Sequence, residues 1–554
     1  MFERRFLASG GTPRRLASIF VLLAAILLMM LFLAAPASAA VTCTSNLGGT
    51  TVTLTFGAAG DSATIFVAAG GEIHASGTGL PSGQCGTAET STATAINVTG
   101  DTGNETLTVN QNGAGGPFLP ANDFTINMQA GTGDALVITG NDVVDTITFG
   151  ITNISMNGGS GAATLVVSNV ETFTVNAGTG NDVVSGAGGG STGAAFATGL
   201  TLNGEAGNDS LTGGNGNDTV NGGTDTGSDT MNGGAGTDTL TYAGVSIAVT
   251  VNLGTATAQN TGGAGTDTIS NFENLTGGSG ADTLTGSSAA NTIVGGAGND
   301  TIIGGAGNDV INGDAGTDTV SYAGTNAAVT VNLSLATAQN TGGAGTDTIT
   351  NTENATGGNG NDTLTGSTAN NVLDGANGHD VLTGGDGNDT LTGGNGSDTA
   401  AYAGAAAAVT VDVSAGTATG QGSDTFTGVE NATGSAFDDT LVGSSIANTL
   451  RGGGGNDDLT GGDGDDTLGG GAGNDTARGE SGDDSVRLGA GDDASRGGGG
   501  NDALRGAGGN DALRGAGGND ALRGGAGNDA LRGGPGNDTC KGGPGSDSIS
   551  GCEN

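Results

Sequence analysis

Apolar residues in the C-terminal part of this 554-residue chain come singly and on a fixed beat. Leu459, Leu468, Val486, Leu504, Leu513, Leu522 and Leu531 each sit at the centre of an x-apolar-x triplet, with small and polar residues between triplets. A triplet of alternating polarity predicts a minimal β-strand whose middle side chain points inward while its neighbours face outward. One apolar residue cannot form a core within its own repeat. A strict short period therefore predicts a stacked coil, each unit burying its inner face against the next. Residues 41–200 carry longer alternating runs, at 51–56, 64–67, 105–109 and 172–176, which also predict strands between Gly- and Asn-rich turns. The fold class is all-β. Loose turn words, AGTGD at 130–134 and AGTGND at 177–182, leave two readings of this N-terminal region. It is a degenerate β-solenoid or a separate β-sandwich.

The segments between triplets carry the chemistry. From Asp457 to Asp547 an aspartate recurs every nine residues without a miss, closing hexapeptides built on GGxGND, as at 470–475 and 524–529. Glycine supplies the positive φ of a tight turn and lets backbone carbonyls approach a cation. Calcium takes about six to eight oxygen ligands, from carboxylates and carbonyls together. One turn with its Asp and carbonyls offers half such a shell, and a second turn stacked on it offers the rest.

The unit Gly-Gly-x-Gly-x-Asp-x-apolar-x resembles the repeats-in-toxin (RTX, hemolysin-type) calcium-binding family over roughly residues 200–550. The resemblance implies a right-handed parallel β-roll in which two nonapeptides make one coil. The six-residue halves turn, the three-residue halves are strands, and calcium lies between turns one coil apart. Carried over position by position, it implies calcium ligands at Asp209, Asp218, Asp229 and Asp238, then Asp282, Asp300, Asp309 and Asp318, then Asp362, Asp380, Asp389 and Asp398. In the terminal array the ligands implied are Asp457, Asp466, Asp475, Asp484, Asp493, Asp502, Asp511, Asp520, Asp529, Asp538 and Asp547. Many calcium ions per chain are expected. Ala507 and Ala516 replace the second Gly of their turns, so altered turn geometry and weaker metal binding are expected there. Family members sent out by a one-step exporter carry a C-terminal signal, and this chain departs from them with an N-terminal one.

A longer period overlies the short one. Tyr242, Tyr322 and Tyr402 are spaced 80 apart, as are Asp238, Asp318 and Asp398. Each module opens with an inserted pair of strands around AVTVNL (248–253, 328–333) or AVTVDV (408–413). An acidic stretch follows, with Asp267 and Glu273, Asp347 and Glu353, or Asp424 and Glu430. The expected division is a signal peptide at 1–40, a β-rich region at 41–200, first repeats at 201–236, three modules at 237–450, and a regular Cys-capped array at 451–554. Flexible Gly-Ser linkers are missing, which argues for one continuous rod.

Charge sharpens the metal reading. Between residues 41 and 450 there are 37 acidic residues and no Lys or Arg, and nine of the 13 basic residues lie at or after Arg451. A stretch without side-chain cations repels itself on compaction unless bound metal supplies positive charge. Nucleic acid is excluded as a partner by the net charge of −43. Low bulk hydrophobicity, with no Trp, fits a chain that orders when calcium arrives.

Arg4, Arg5, Arg14 and Arg15 precede an apolar run at 19–35 and Ala37-Ser38-Ala39, the layout of a secretory signal peptide cleaved after Ala39 or Ala40. No stable membrane span is expected after cleavage. Cys43, Cys85, Cys540 and Cys552 form two near pairs, so disulfides Cys43–Cys85 and Cys540–Cys552 are the economical expectation in an exported protein. No catalytic residue is assigned. The two histidines are isolated: His379 fills a slot where other turns have Asn, and His74 has no Cys or second His beside it. The favoured reading is a non-enzymatic, secreted or cell-surface protein. It forms a calcium-stabilised structural or adhesive rod, with calcium and a cell-surface polymer or another cell as partners. Two alternatives stay open: a secreted hydrolase with its catalytic part in 41–200, and an ice- or polysaccharide-binding solenoid using Thr rows such as Thr283/Thr285, Thr363/Thr365 and Thr390/Thr392. In the terminal array those rows become Ala and Arg (Arg505, Arg514, Arg523, Arg532), which suit an acidic partner or neighbouring carboxylates.

Overall fold

The computed structural model describes residues 172–188 and 194–553 throughout, and twelve strands between Thr42 and Ser168. The expected signal segment lies outside the described residues. Every helix or strand described is a strand, and among the described residues no helix is long and apolar enough to cross a membrane. The chain divides into two compact units, one of residues 1–179 and 183–201, the other of 180–182 and 202–554.

In the first unit two sheets are dominated by parallel pairing. Strands Thr51–Thr55, Ala95–Thr99, Asp123–Asn127 and Thr164–Ser168 stack in one. Strands Ser62–Val67, Thr106–Asn110, Ala135–Thr139 and Thr172–Asn176 stack in the other. Parallel neighbours are what a coiled path produces, since a hairpin can join only antiparallel ones. Antiparallel strands occur at the margins, as in Ser62–Val67 against Glu72–Gly77. Leu54, Ile65, Leu107, Val109, Leu136, Ile138 and Val175 are buried.

The second unit is a parallel β-roll. In its terminal array Thr449 pairs with Thr467, Thr467 with Ser485, Ser485 with Ala503, and so on to Thr539 in one sheet. Asp458, Thr476, Ala494, Ala512, Ala530 and Ser548 align in the other. Two nonapeptides thus make one coil. Each triplet contributes one inward side chain, and Leu459, Leu468, Val486, Leu504, Leu513, Leu522 and Leu531 are all at most 2% exposed. Ala477 and Ser495 thin this already narrow core.

The inserted strands of the modules hand the roll from one sheet to the next. Gln259–Gly262 folds back antiparallel on Gly265–Ser270 and ends one sheet, while Thr250–Asn252 starts another by pairing with Thr283–Thr285. The second module repeats this with Gln339–Gly342 on Gly345–Thr350 and Thr330–Asn332 beside Thr363–Thr365. In the third, three residues shorter, Thr417–Thr419 pairs antiparallel with both Thr410–Asp412 and Ser423–Thr427, and the sheet continues.

The turn at 470–475 explains its glycines one by one. A Cβ on Gly470 would stand 2.3 Å from its own turn's Asp475 carboxylate. Gly471 and Gly473 have φ of +122° and +132°, and a Cβ on either would strike the carbonyl oxygen of Gly453 or Gly455 in the coil before. Ala507 and Ala516 keep the turn but hold φ of +101° and +96°, a conformation that L-residues resist. The expected change of turn geometry is not made; the alanines take the strain instead. Replacing either by Gly should raise the stability of the calcium-loaded array by about 0.5–1 kcal/mol, the roughly 1–2 kcal/mol of left-handed strain less the entropy cost of Gly. Urea midpoints of the two variants measure it, and an unchanged or lowered midpoint would show that these turns are unstrained.

Candidate metal centres

Each turn-closing aspartate uses its two oxygens differently. Oδ1 accepts a hydrogen bond from the backbone N–H of the Asp one coil earlier: Asp457 donates to Asp475 at 2.9 Å, Asp475 to Asp493 at 2.8 Å, Asp484 to Asp502 at 3.0 Å and Asp502 to Asp520 at 3.0 Å. Two columns of these bonds climb the array, one on each side of the roll. Oδ2 is buried without a hydrogen-bond partner at Asp457, Asp466, Asp475, Asp484, Asp493, Asp502, Asp511, Asp520, Asp529 and Asp538, ten turns in succession. The same holds at Asp209, Asp238, Asp300, Asp309, Asp318, Asp380, Asp389 and Asp398. Asp229 keeps the Oδ1 bond, from Asp209 N–H at 2.8 Å, and Asp547 closes its column half-exposed.

A buried carboxylate oxygen with no donor is costly. Desolvation pushes the Asp457 carboxyl up to about 7 and those of Asp466, Asp484, Asp502 and Asp511 to about 6. It also raises Asp475, Asp493 and Asp520, while the N–H bond to each works the other way. Stacked carboxylates add to the rise, as Asp466 does at Asp484. A cation at Oδ2 would offset that cost. Among the described residues no three His, Cys, Asp or Glu side chains group to hold a metal by themselves, and main-chain carbonyls are ordinary partners of a carboxylate in such a shell. The turns stack closely enough to supply them. One carboxylate oxygen per turn, with carbonyls around it, is the donor set of a hard, oxygen-seeking dication.

Other turns are completed without a cation, and sequence reasoning missed this. The Tyr242, Tyr322 and Tyr402 hydroxyls donate to Oδ2 of Asp267, Asp347 and Asp424 at 3.2, 2.9 and 2.9 Å. Thr261 and Thr341 add second donors at 2.9 Å to the first two. Burial and the adjacent carboxylate hold each phenol well above its ordinary pKa, so it stays a donor. Asp282 and Asp362 have both oxygens taken by backbone N–H groups, of Val249 and Gly278 and of Val329 and Gly358. Asp218 Oδ2 likewise accepts from Gly214 N–H at 2.5 Å. These three expected ligands are less in need of metal than the rest. In a third kind of turn Asn replaces Asp: the Nδ2 groups of Asn291, Asn371 and Asn448 donate to the carbonyls of Glu273, Glu353 and Glu430.

Those glutamates end columns. Their Oε2 atoms accept from the N–H of Asp238, Asp318 and Asp398 at 2.8, 2.8 and 2.9 Å. Glu553 does the same for Asp538 at 2.8 Å, directly after Cys552. The repeated word x-Glu-Asn, at 272–274, 352–354, 429–431 and 552–554, was the signal that could have found them. The Cys540–Cys552 disulfide is present, with Cα atoms 6.0 Å apart and Cys540 in register with Leu522 of the coil before, so it holds this last cap in place. The side chains of Cys43, Cys85 and His74 lie outside the described residues. His379 stands in for Asn: its Nδ1 accepts from Ser397 N–H at 2.9 Å in the outer ladder that Asn side chains make elsewhere, as Asn456 does for Asn474.

Fold and sites together define a calcium-binding parallel β-roll. The family model of the RTX calcium-binding nonapeptide repeat matches the chain eleven times, over residues 201–244, 272–320, 356–400, 433–468 and 469–549. These segments are RTX calcium-binding nonapeptide repeats, and they bind many calcium ions. The gaps at 245–271, 321–355 and 401–432 hold the inserted strands and the aspartates bonded to tyrosine. No curated protein sequence matches the chain.

The raised carboxylates set a pH dependence with a definite sign. A folded pKa above the unfolded value of 3.8 means that the folded, metal-free array binds more protons than the unfolded chain. In chelator its stability should therefore rise as pH falls from about 7 towards 4. With calcium the order reverses, because protons and metal compete for the same oxygens. Circular dichroism against pH in both conditions checks this; a metal-free array that gains no β-structure on mild acidification would contradict it. Asn371→Asp should destabilise the second module in chelator by about 1–3 kcal/mol, since it sets an acceptor against the Glu353 carbonyl. Calcium should restore it. Amide exchange over 354–374 reads both effects, and unchanged protection in chelator would sink the idea.

Proposed function

We propose that the protein is an exported, non-enzymatic structural or adhesive element, ordered outside the cell by calcium bound between successive turns. The observation that carries this reading is the run of ten buried Asp Oδ2 atoms with no partner in the array. Each proposed ion takes Oδ2 oxygens and main-chain carbonyls from turns one coil apart, so that Asp475 and Asp493 serve one file of sites and Asp484 and Asp502 the other. Export is supported by the basic, apolar and small-residue order of residues 1–40 and by the Cys540–Cys552 bridge, which suits an oxidising compartment. Calcium then has a regulatory sense. It is scarce inside cells and abundant outside, so the array stays unfolded until it is exported.

The Thr rows give an ice-binding face little support. The column Thr283, Thr301, Thr319 continues into Asn354 and Val372, and Thr285 is followed by Ile303. A flat hydroxyl lattice is broken within a few coils.

Far-UV circular dichroism of the mature chain should show mostly coil character for the array in chelator and β-structure at millimolar calcium, within the range of roughly 10⁻⁴–10⁻³ M typical of extracellular modules. Magnesium should substitute poorly, because it keeps its waters and demands octahedral geometry. A β spectrum that is identical in excess chelator refutes the reading.

A further inference from the structure

All exposed charge on coils 494–541 has one sign. Arg496, Arg505, Arg514, Arg523, Arg532 and Lys541 are exposed, whereas the acids of this stretch, Asp502, Asp511, Asp520, Asp529 and Asp538, are at most 2% exposed. On a chain of net charge −43 this is a cationic surface, because the backbone turns its carboxylates inward and its guanidinium groups outward. The cations are also in register. Arg496, Arg514 and Arg532 are successive cross-strand neighbours on one sheet, and Arg505, Arg523 and Lys541 on the other. Neighbouring strands lie about 4.7–4.9 Å apart, and like charges directly opposite destabilise a sheet. Among the described residues none of the six has an ion pair; Arg478, one coil below, is bonded to Asp458 at 2.9 Å.

We propose that these columns bind a linear carboxylated polysaccharide laid along the stacking direction, one carboxylate to each cation. The proposal rests on the calcium-ordered roll of the preceding section, since only stacked coils put the cations in line. Calcium also neutralises the carboxylates inside, so the face becomes anion-binding when the metal is loaded. The rise from one strand to the next is comparable with the length of a sugar ring, and a guanidinium fork matches a carboxylate. Outward Ala residues beside the Arg columns, such as Ala512 and Ala530, leave the polymer free to approach. Single-stranded nucleic acid and uncharged glycans fit worse. Base binding needs aromatic platforms, and residues 438–554 contain no Phe, Tyr or Trp.

The test uses the full calcium-loaded mature chain and an oligogalacturonate too short to gel with calcium. Binding is expected in calcium, weakening with added salt. It should fall about tenfold in R496Q/R514Q/R532Q, the loss expected of a few exposed ion pairs, and should largely survive in the matching Lys triple. The methyl-esterified oligosaccharide should not bind. Equal binding by the Gln triple, by the ester, or by a single-stranded oligonucleotide of the same charge overturns the proposal. Circular dichroism of the wild type in the same buffers separates the two claims. Calcium-induced β-structure without oligouronate binding ends this proposal alone, and its absence ends the calcium-ordered reading as well.

Discussion

Everything in the roll hangs on a carboxylate that belongs to two coils at once. Asp475 closes its own turn, and its Oδ1 receives the N–H of Asp457 from the coil below. That bond ties successive coils together in the same register as the strand ladder. It also holds the second oxygen in a buried place where nothing in the chain bonds it. Packing cannot offset the cost, because each triplet contributes a single inward side chain to a narrow core. The fold therefore carries a built-in demand for a cation, repeated at every turn.

The modules meet the same demand by other means. A tyrosine hydroxyl or the backbone N–H four residues earlier bonds the oxygen that has no partner in the plain turns, and in other turns an asparagine amide replaces the carboxylate. These substitutes cluster where the roll passes from one sheet to another and where a column ends on a glutamate. A sheet being started there has no coil below it to share an ion. Donors from within the chain let such a coil close before its neighbours are loaded, so the coils that carry the inserted strands are nodes of lower calcium dependence between stretches of higher dependence. In a structure whose energy is a sum over neighbours, that arrangement favours graded ordering over one all-or-none transition.

Turning the acids inward has a second consequence. A sequence that is strongly acidic by count presents a basic surface over residues 494–541, because burial selects which charges a partner meets. Net charge describes the unfolded, metal-free chain better than the loaded one.

Much of this was legible in the sequence. The nine-residue beat determined the strands, the inward leucines and the position of the aspartates, because a lone apolar residue per triplet is buried only by stacking on its neighbours; that two repeats make one coil was implied by the family resemblance. His379 as a turn variant and the Cys540–Cys552 staple followed from the same register. The period could not say which carboxylate oxygens are already bonded. Tyr242 and Asp267 each stood out by their 80-residue recurrence, yet their bond spans 25 residues and a hairpin that only the folded path brings across the turn. The capping glutamates sit outside the nonapeptide phase, so no repeat count reaches them. Ala507 and Ala516 read as altered turns, but neighbouring coils on both sides impose the glycine conformation on them. A repeat fixes what every unit must share, and only the tertiary structure decides where a unit finds its missing donor within the chain and where it must take a metal.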